Sequence, residues 1–332
     1  MASPLHLDGS DVNNNSSIKD LENIVEDVEI PVIDFSLLTE GTPDQRYLVV
    51  QELAKACEDW GFFVLVNHGV PDKLRNALMD TFKGFFNLPP EDKQDSADTH
   101  AMNPIRYGTS FNAKVDDNKY WREYLKVMTH PEFHCPTKPP QFREELKEYS
   151  ACIRELGKKL LGGIWEGLGL DNNYMREALN LGNCFQIVVG NHYAPCPQPE
   201  KAMGLPPHSD HGLISILYQN DVDGLEVQHD GKWVRVKPLP NSYLINTGDQ
   251  MEIVSNGKYK SIVHRAAVNE KRARMSIVTV TGPSLDTTVV AAPQLVSGES
   301  PATFRGMKYG EFMEYQQGHG LQEKSVLKLL RL

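Results

Sequence analysis

CFQIVVGNHYAPCPQPEKAMGLPPHSDHGLISILYQNDVDGLEVQHDGKWVRV, residues 184–236, is where the hydrophobic period of this chain changes. Phe185 to Tyr193 and Gly212 to Tyr218 read as short β-type runs. Gly224 to Val236 folds back at Asp230-Gly231, a strong hairpin signal. Downstream, Ser242 to Asn246, Lys258 to Val268 and Met275 to Thr281 continue the short segments, with Gly, Pro, Asn and Asp between them. Evenly spaced short strands predict a sandwich or jelly-roll barrel. A final helix is expected from about Lys308 to the end.

Upstream the period is helical. Phe142, Leu146, Tyr149, Ile153, Leu156, Leu160, Ile164 and Leu168 fall on one stripe. Thr42, Pro43 and Gln45 form a capping-box signature, followed by Val49, Leu53, Ala56 and Trp60, with Gly61 as the stop. Leu74, Leu78, Phe82 and Phe85 mark another helix, closed before Pro89-Pro90. Ile30 to Phe35 and Phe62 to Val66 read as short strands, and 88–120 as polar and irregular. The expected fold is α+β with a β-dominated core. Residues 1–28 form a loose lead-in, 29–182 a mainly helical part, and 183–332 the jelly-roll core with its C-terminal helix, all one integrated domain.

The net charge of −10 and the absence of long basic runs argue against nucleic acid or anionic membrane as partner. Apolar runs such as Phe62 to Val66 are far below a membrane span, and the N-terminus lacks the regions of a signal peptide. Five cysteines without a Cys-x-x-Cys pair suit a reducing cytoplasm. A monomer acting on a small molecule is the resulting expectation.

His208-Ser209-Asp210 lies where a Pro-rich turn meets a strand. Residues two apart on a strand share a face, so both side chains are expected to reach one metal. Two imidazoles and one carboxylate on one face leave coordination positions open, as in non-haem Fe(II) oxygenases. Most of the eleven histidines read better as surface or hydrogen-bonded residues, and His211 is expected to point away from Asp210. His264 is singled out by its surroundings. Ten residues on, Arg274-Met275-Ser276 offers a guanidinium fork and a hydroxyl two apart. Tyr193, which ends a strand, adds a phenol. A metal beside such a carboxylate clamp suits an α-keto diacid.

These residues sit in longer matching stretches. They are IPVIDF (30–35), ACEDWGFFVLVNHGV (56–70), FFNLP (85–89), NHYAPCPQPE (191–200), PHSDHGLISIL (207–217), NSYLINTGDQMEIVSNGKYKSIVHR (241–265) and RMS (274–276). Over about 30–325 the chain resembles the plant small-molecule branch of the 2-oxoglutarate/Fe(II)-dependent dioxygenase superfamily. Anthocyanidin synthase, flavonol synthase, gibberellin oxidases and hyoscyamine 6-hydroxylase belong to that branch. One departure is His192, where relatives often carry tyrosine.

The resemblance implies a double-stranded β-helix flanked by helices. It implies Fe(II) on His208, Asp210 and His264, and 2-oxoglutarate on Arg274, Ser276, Tyr193 and Asn191. O2 is the co-reactant and ascorbate the reductant. The reaction implied is hydroxylation, desaturation or ring closure of a mostly apolar cyclic metabolite, with release of succinate and CO2. It places substrate against Tyr107, Phe111, Tyr124, Lys126, Val189, Val280 and Gly282. Two alternatives stand: a same-fold oxidase that does not use 2-oxoglutarate, like ACC oxidase, and a non-catalytic small-molecule-binding protein.

Overall fold

A computed structural model describes residues 24–25, 28–94, 96, 102–109, 120–318 and 325–332. Its centre is an eight-stranded sheet. In spatial order the strands are Val32–Asp34, Phe62–Val66, Tyr243–Thr247, Ile214–Gln219, Arg274–Gly282, Phe185–Tyr193, Glu123–His130 and Ile105–Gly108. A five-stranded sheet runs Ile24–Val25, Lys232–Val236, Leu225–His229, His264–Ala266 and Leu205–His208.

Alternation along the strands of the larger sheet sorts the side chains into two environments. Leu125, Val127, Val188, Ile216, Ile245 and Ile277 belong to the core that also takes in the buried stripes of helices Asp72–Phe86 and Phe142–Gly167. Residues next to them in sequence face the other way, towards the second sheet. There Phe62, Val64 and Leu244 pack with Leu225, Val227, Val234 and Val236 of the smaller sheet. The helix-side core runs from Ile33 to Leu330 in sequence, so residues from both halves of the chain share it.

The helices start and stop where local chemistry directs. Thr42 and Gln45 exchange the reciprocal bonds of a capping box ahead of helix Pro43–Lys55. A wider π turn, Ala56–Trp60, follows and ends at Gly61, whose φ is 60°. Glycine also permits the closest helix–sheet approach. A methyl group on Gly190 would lie 2.1 Å from Cδ1 of the buried Phe82. Gly190→Ala is therefore expected to destabilise the fold by about 1–3 kcal/mol through overpacking, read as a lower denaturant midpoint. An unchanged midpoint would show that helix Asp72–Phe86 is not seated tightly on the sheet.

Several elements differ from the sequence expectation. The run at 30–35 is a strand only over Val32–Asp34; the Asp34 carboxylate then accepts from Ser36 N and caps helix Phe35–Thr39. The expected segment Lys258–Val268 pairs only over His264–Ala266, although Tyr259 and Ser261 are buried. Strands Ile105–Gly108 and Glu123–His130 were not anticipated. The final helix is two, Tyr309–Gly318 and Ser325–Leu330. The Asp230-Gly231 hairpin forms as expected, with φ of 49° and 74° joining two antiparallel strands. All five cysteines are free thiols. No described helix is long and apolar enough to cross a membrane.

Candidate metal centre and its surroundings

Strand Leu205–His208 ends at His208, and His264 stands directly opposite it in the antiparallel ladder. Asp210 is not on the strand, contrary to the expectation from spacing. Its segment has left the smaller sheet and crosses towards Ile214–Gln219 of the larger one. Two positions along a strand separate Cα atoms by about 6.6 Å with side chains roughly parallel. Leaving the strand lets the carboxylate turn in between the imidazoles. Gly248 permits this crossing, because a Cβ there would lie 2.8 Å from the Asp210 carbonyl oxygen and 2.3 Å from that of Gly212.

The three side chains converge. One ligand atom from each of His208, Asp210 and His264 lies within 4.8 Å of the others. Asp210 Oδ1 is 3.8 Å from Nε2 of His208 and 3.7 Å from Nε2 of His264. Each imidazole uses Nδ1 on a carbonyl two residues back: Pro206 at 2.8 Å for His208 and Ile262 at 3.1 Å for His264. A donor at Nδ1 leaves the Nε2 lone pair for the centre. Asp210 is oriented in the same manner. Its Oδ2 accepts from Ser215 Oγ at 2.5 Å and Asn246 Nδ2 at 2.8 Å, which leaves Oδ1 facing the histidines. His211 turns away, as expected, with Nδ1 2.6 Å from the Tyr309 hydroxyl.

Electrostatics favour the metal-binding protonation states. Burial first, then the nearby charges of His264 and Arg122, push the His208 imidazole down to about 3. Burial acts to raise the Asp210 carboxyl, but His264, His208 and the Ser215 and Asn246 hydrogen bonds outweigh it and hold it at about 2. A neutral imidazole beside an ionised carboxylate is a suitable donor set for a divalent transition metal.

Beside this centre the large sheet supplies a polar cluster. Arg274 is opposite Tyr193, and Ser276 is opposite both Asn191 and Gln219. The Arg274 guanidinium is buried, 5.2 Å from the Tyr193 ring centroid, and its Nη2 donates to Gln219 Oε1. Asn191 Nδ2 donates to Ser276 Oγ at 3.4 Å. Three buried polar atoms in this cluster have no partner: Arg274 Nε, Asn191 Oδ1 and Gln219 Nε2. Such orphans are costly. Arg274 Nε and Gln219 Nε2 are donors and suit a carboxylate, whereas Asn191 Oδ1 is an acceptor and needs a donor.

The residues expected to meet substrate divide. Tyr124 and Lys126 pair with Asn191 and Val189, so all four share the inner face of the large sheet. Val280, opposite Ser215, shares it too. Gly282 lies against Tyr309, whose hydroxyl oxygen a Cβ would meet at 2.3 Å. Tyr107 is placed differently. It pairs with Leu125 on the helix-facing side, packs edge-on to Phe85 and donates to Glu123 at 2.6 Å. Phe111 lies outside the described residues, as does the rest of 110–119. Ser215, Asn246 and Gln219 escaped the sequence reading. A polar residue inside the apolar run Leu213-Ile214-Ser215-Ile216 was the available signal.

An eight-stranded sheet flanked by helices, with two histidines and an aspartate convergent beside a buried arginine, defines a mononuclear non-haem iron oxygenase. Residues 184–283 match the 2OG-Fe(II) oxygenase superfamily, and 30–148 match the N-terminal region described as non-haem dioxygenase in morphine synthesis. The 2-oxoglutarate-dependent dioxygenase 19 of Oryza sativa is 49% identical over 91% of this chain and 90% of its own. Flavanone 3-dioxygenase 2 of the same plant is 38% identical over 98% and 94%. The solved structure of JOX2 in complex with 2OG, Fe and JA superposes with a TM-score of 0.85 at 30% identity, covering 93% of this chain and 90% of that one. The chain belongs to the plant 2-oxoglutarate/Fe(II)-dependent dioxygenase superfamily, and is an oxidoreductase that uses Fe(II) and 2-oxoglutarate.

Proposed function

We propose that His208, Asp210 and His264 hold the Fe(II), and that Arg274, Ser276, Tyr193 and Asn191, joined by Gln219, receive the distal carboxylate of 2-oxoglutarate. The observation that carries this reading is the buried Arg274, with its unpartnered Nε, beside the convergent triad. Same-fold oxidases such as ACC oxidase keep an Arg-x-Ser pair without using the keto acid, so dependence on 2-oxoglutarate in an assay separates the two readings. The two sheets, packed through the Phe62 and Val227 cluster, close as a double-stranded β-helix, and both halves of the chain form one integrated catalytic unit.

When bound, Fe(II) with 2-oxoglutarate supplies O2 activation for oxidation of a C–H bond, with succinate and CO2 as the other products. The chain's own part is positioning. Ser215 and Asn246 hold the Asp210 carboxylate in one rotamer. The Pro206 and Ile262 carbonyls hold the imidazoles. The guanidinium fork fixes the keto acid against the inner face of the sheet. Tyr124, Lys126, Val189 and Val280 then line the space left for substrate, a mixture suited to a mostly apolar ring carrying polar groups. Relatives are named for flavanones, a flavonoid 7-O-demethylation and auxin oxidation, which agrees with a small plant metabolite as substrate. The free thiols suit a reducing cytoplasm, and a monomer with ascorbate as reductant completes the reading.

The test is a product assay. Purified Fe(II) enzyme is expected to convert 2-oxoglutarate to succinate slowly alone, and faster when a fraction of plant metabolite extract contains the substrate. Product should gain about 16 mass units on hydroxylation or lose about 2 on desaturation or ring closure. Oxidation that proceeds equally well without 2-oxoglutarate would sink this reading.

A further inference from the structure

Arg122 is a buried cation with no carboxylate beside it among the described residues. The residue is 8% exposed, and its Nε is buried without a hydrogen-bond acceptor. No carboxylate among the described residues pairs with it. Glu123, the next residue, points to the opposite face, where Lys93 at 3.0 Å, Tyr107 at 2.6 Å and His192 at 3.4 Å surround its carboxylate. The described contact on the Arg122 guanidinium is the ring of Tyr124, 4.5 Å from the centroid. A cation–π contact contributes on the order of 0.5–2 kcal/mol, less than the several kcal/mol that burying an unpaired ion costs. Structure alone does not account for this arginine.

Its position suggests what does. Arg122 immediately precedes strand Glu123–His130, and its guanidinium over the Tyr124 ring puts it on the side of Tyr124 and Lys126, which pair with Asn191 and Val189. That is the face carrying Arg274 and Ser276. Trp121 N donates to Met203 O at 2.9 Å, tying this strand start to the segment that leads into His208. Arg106 pairs with Lys126 across the edge of the sheet, and its guanidinium lies 5.9 Å from the same Tyr124 ring. The inner face thus holds a second positive cluster, separate from the Arg274 clamp, with an aromatic plate at its centre. Burial and then the Arg106 charge lower the Lys126 amine to about 7, so cations already crowd the site.

We propose that Arg122 anchors a carboxylate of the molecule that is oxidised, so that the substrate is an organic acid with its ring against Tyr124 and Val189. This rests on the metal and cosubstrate assignments above and names the substrate class of that same site. A guanidinium fork matches a carboxylate at two points, and in a desolvated site the pair is stronger than in water. Carboxylates reach this centre from two sources, the substrate and the keto-acid end of 2-oxoglutarate, and the test must separate them.

Anaerobic Fe(II)–2-oxoglutarate enzyme is titrated by calorimetry with phenylacetate, cinnamate and cyclohexylacetate, each beside its own primary amide. The expected result is binding of the acids at least about tenfold tighter than the amides, as loss of a charge-assisted hydrogen bond predicts. In Arg122→Gln that preference should fall below about twofold with amide affinity unchanged, and Arg122→Lys should restore part of it. Iron content and 2-oxoglutarate affinity, measured on the same variants, should stay at wild-type values. The proposal is overturned if no acid binds, if amides bind as tightly as acids, or if the preference survives in Arg122→Gln. It is also overturned if Arg122→Gln weakens 2-oxoglutarate alone, which would assign the guanidinium to the cosubstrate. Acid binding that depends on Arg122 in an enzyme that makes no succinate would instead leave this inference standing and remove the dioxygenase site reading.

Discussion

Asp210→Ala is expected to lower 2-oxoglutarate-dependent turnover by on the order of a thousand-fold or more while leaving the protein folded. The carboxylate is the single anionic donor in the described triad, and it sits between the two Nε2 atoms at 3.7 and 3.8 Å. Its loss leaves two imidazoles, which hold Fe(II) far less tightly than three convergent donors. A metal centre supplies several kcal/mol of activation, and each 1.36 kcal/mol is tenfold in rate. The fold has no comparable stake, because the helix-side core lies on the opposite face of the large sheet. Milder variants grade the effect. Ser215→Ala and Asn246→Leu remove the bonds that aim Asp210, and each should weaken iron binding by about 10–100-fold. The measurements are iron per chain after gel filtration, circular dichroism, and succinate release. Wild-type iron content and turnover in Asp210→Ala would remove the assignment.

The ease with which parts of this architecture were read from sequence follows from burial. Strands Phe185–Tyr193 and Arg274–Gly282 stand mid-sheet, and both of their faces are mostly buried. Their β-branched and aromatic runs were therefore plain. The Asp230-Gly231 turn and the Thr42 capping box were legible because each depends on a few neighbouring residues. Strand Glu123–His130 was not. Its helix-facing residues Leu125 and Val127 are apolar, but its inner residues are Tyr124, Lys126 and Met128, so no clean polar face marks the alternation. The triad's identity was visible in His208-Ser209-Asp210, but its geometry was not. Spacing suggested one strand, whereas Asp210 reaches the centre from a crossing between two sheets. That is a tertiary fact. Gln219, Ser215 and Asn246 are likewise defined by what they touch, which no local pattern records.

Arg274→Lys is expected to raise the KM for 2-oxoglutarate by about 10–150-fold, since a charge-assisted hydrogen bond contributes roughly 1.5–3 kcal/mol. Lysine keeps the charge but offers a point donor in place of a planar fork, so two-point recognition of a carboxylate is lost. Arg274→Leu, which also removes the charge, should cost more. Both changes are made inside the protein, so neighbouring groups feel them. Gln219 Oε1 loses the Nη2 donor, and the space beside Gly224, where a Cβ would lie 3.1 Å from Arg274 Cδ, is left partly unfilled. Some loss of stability is therefore expected in Arg274→Leu, and the conservative Arg274→Lys is the cleaner probe. The discriminating readout is the split between constants. If the cluster binds the distal carboxylate in ground and transition states alike, KM rises while kcat at saturating 2-oxoglutarate falls little. Iron content should not change, because Arg274 is on the large sheet and both histidines on the smaller one. A KM for 2-oxoglutarate equal to wild type in Arg274→Lys would place the carboxylate elsewhere. It would also leave the buried donors Arg274 Nε and Gln219 Nε2 without the ligand that accounts for them.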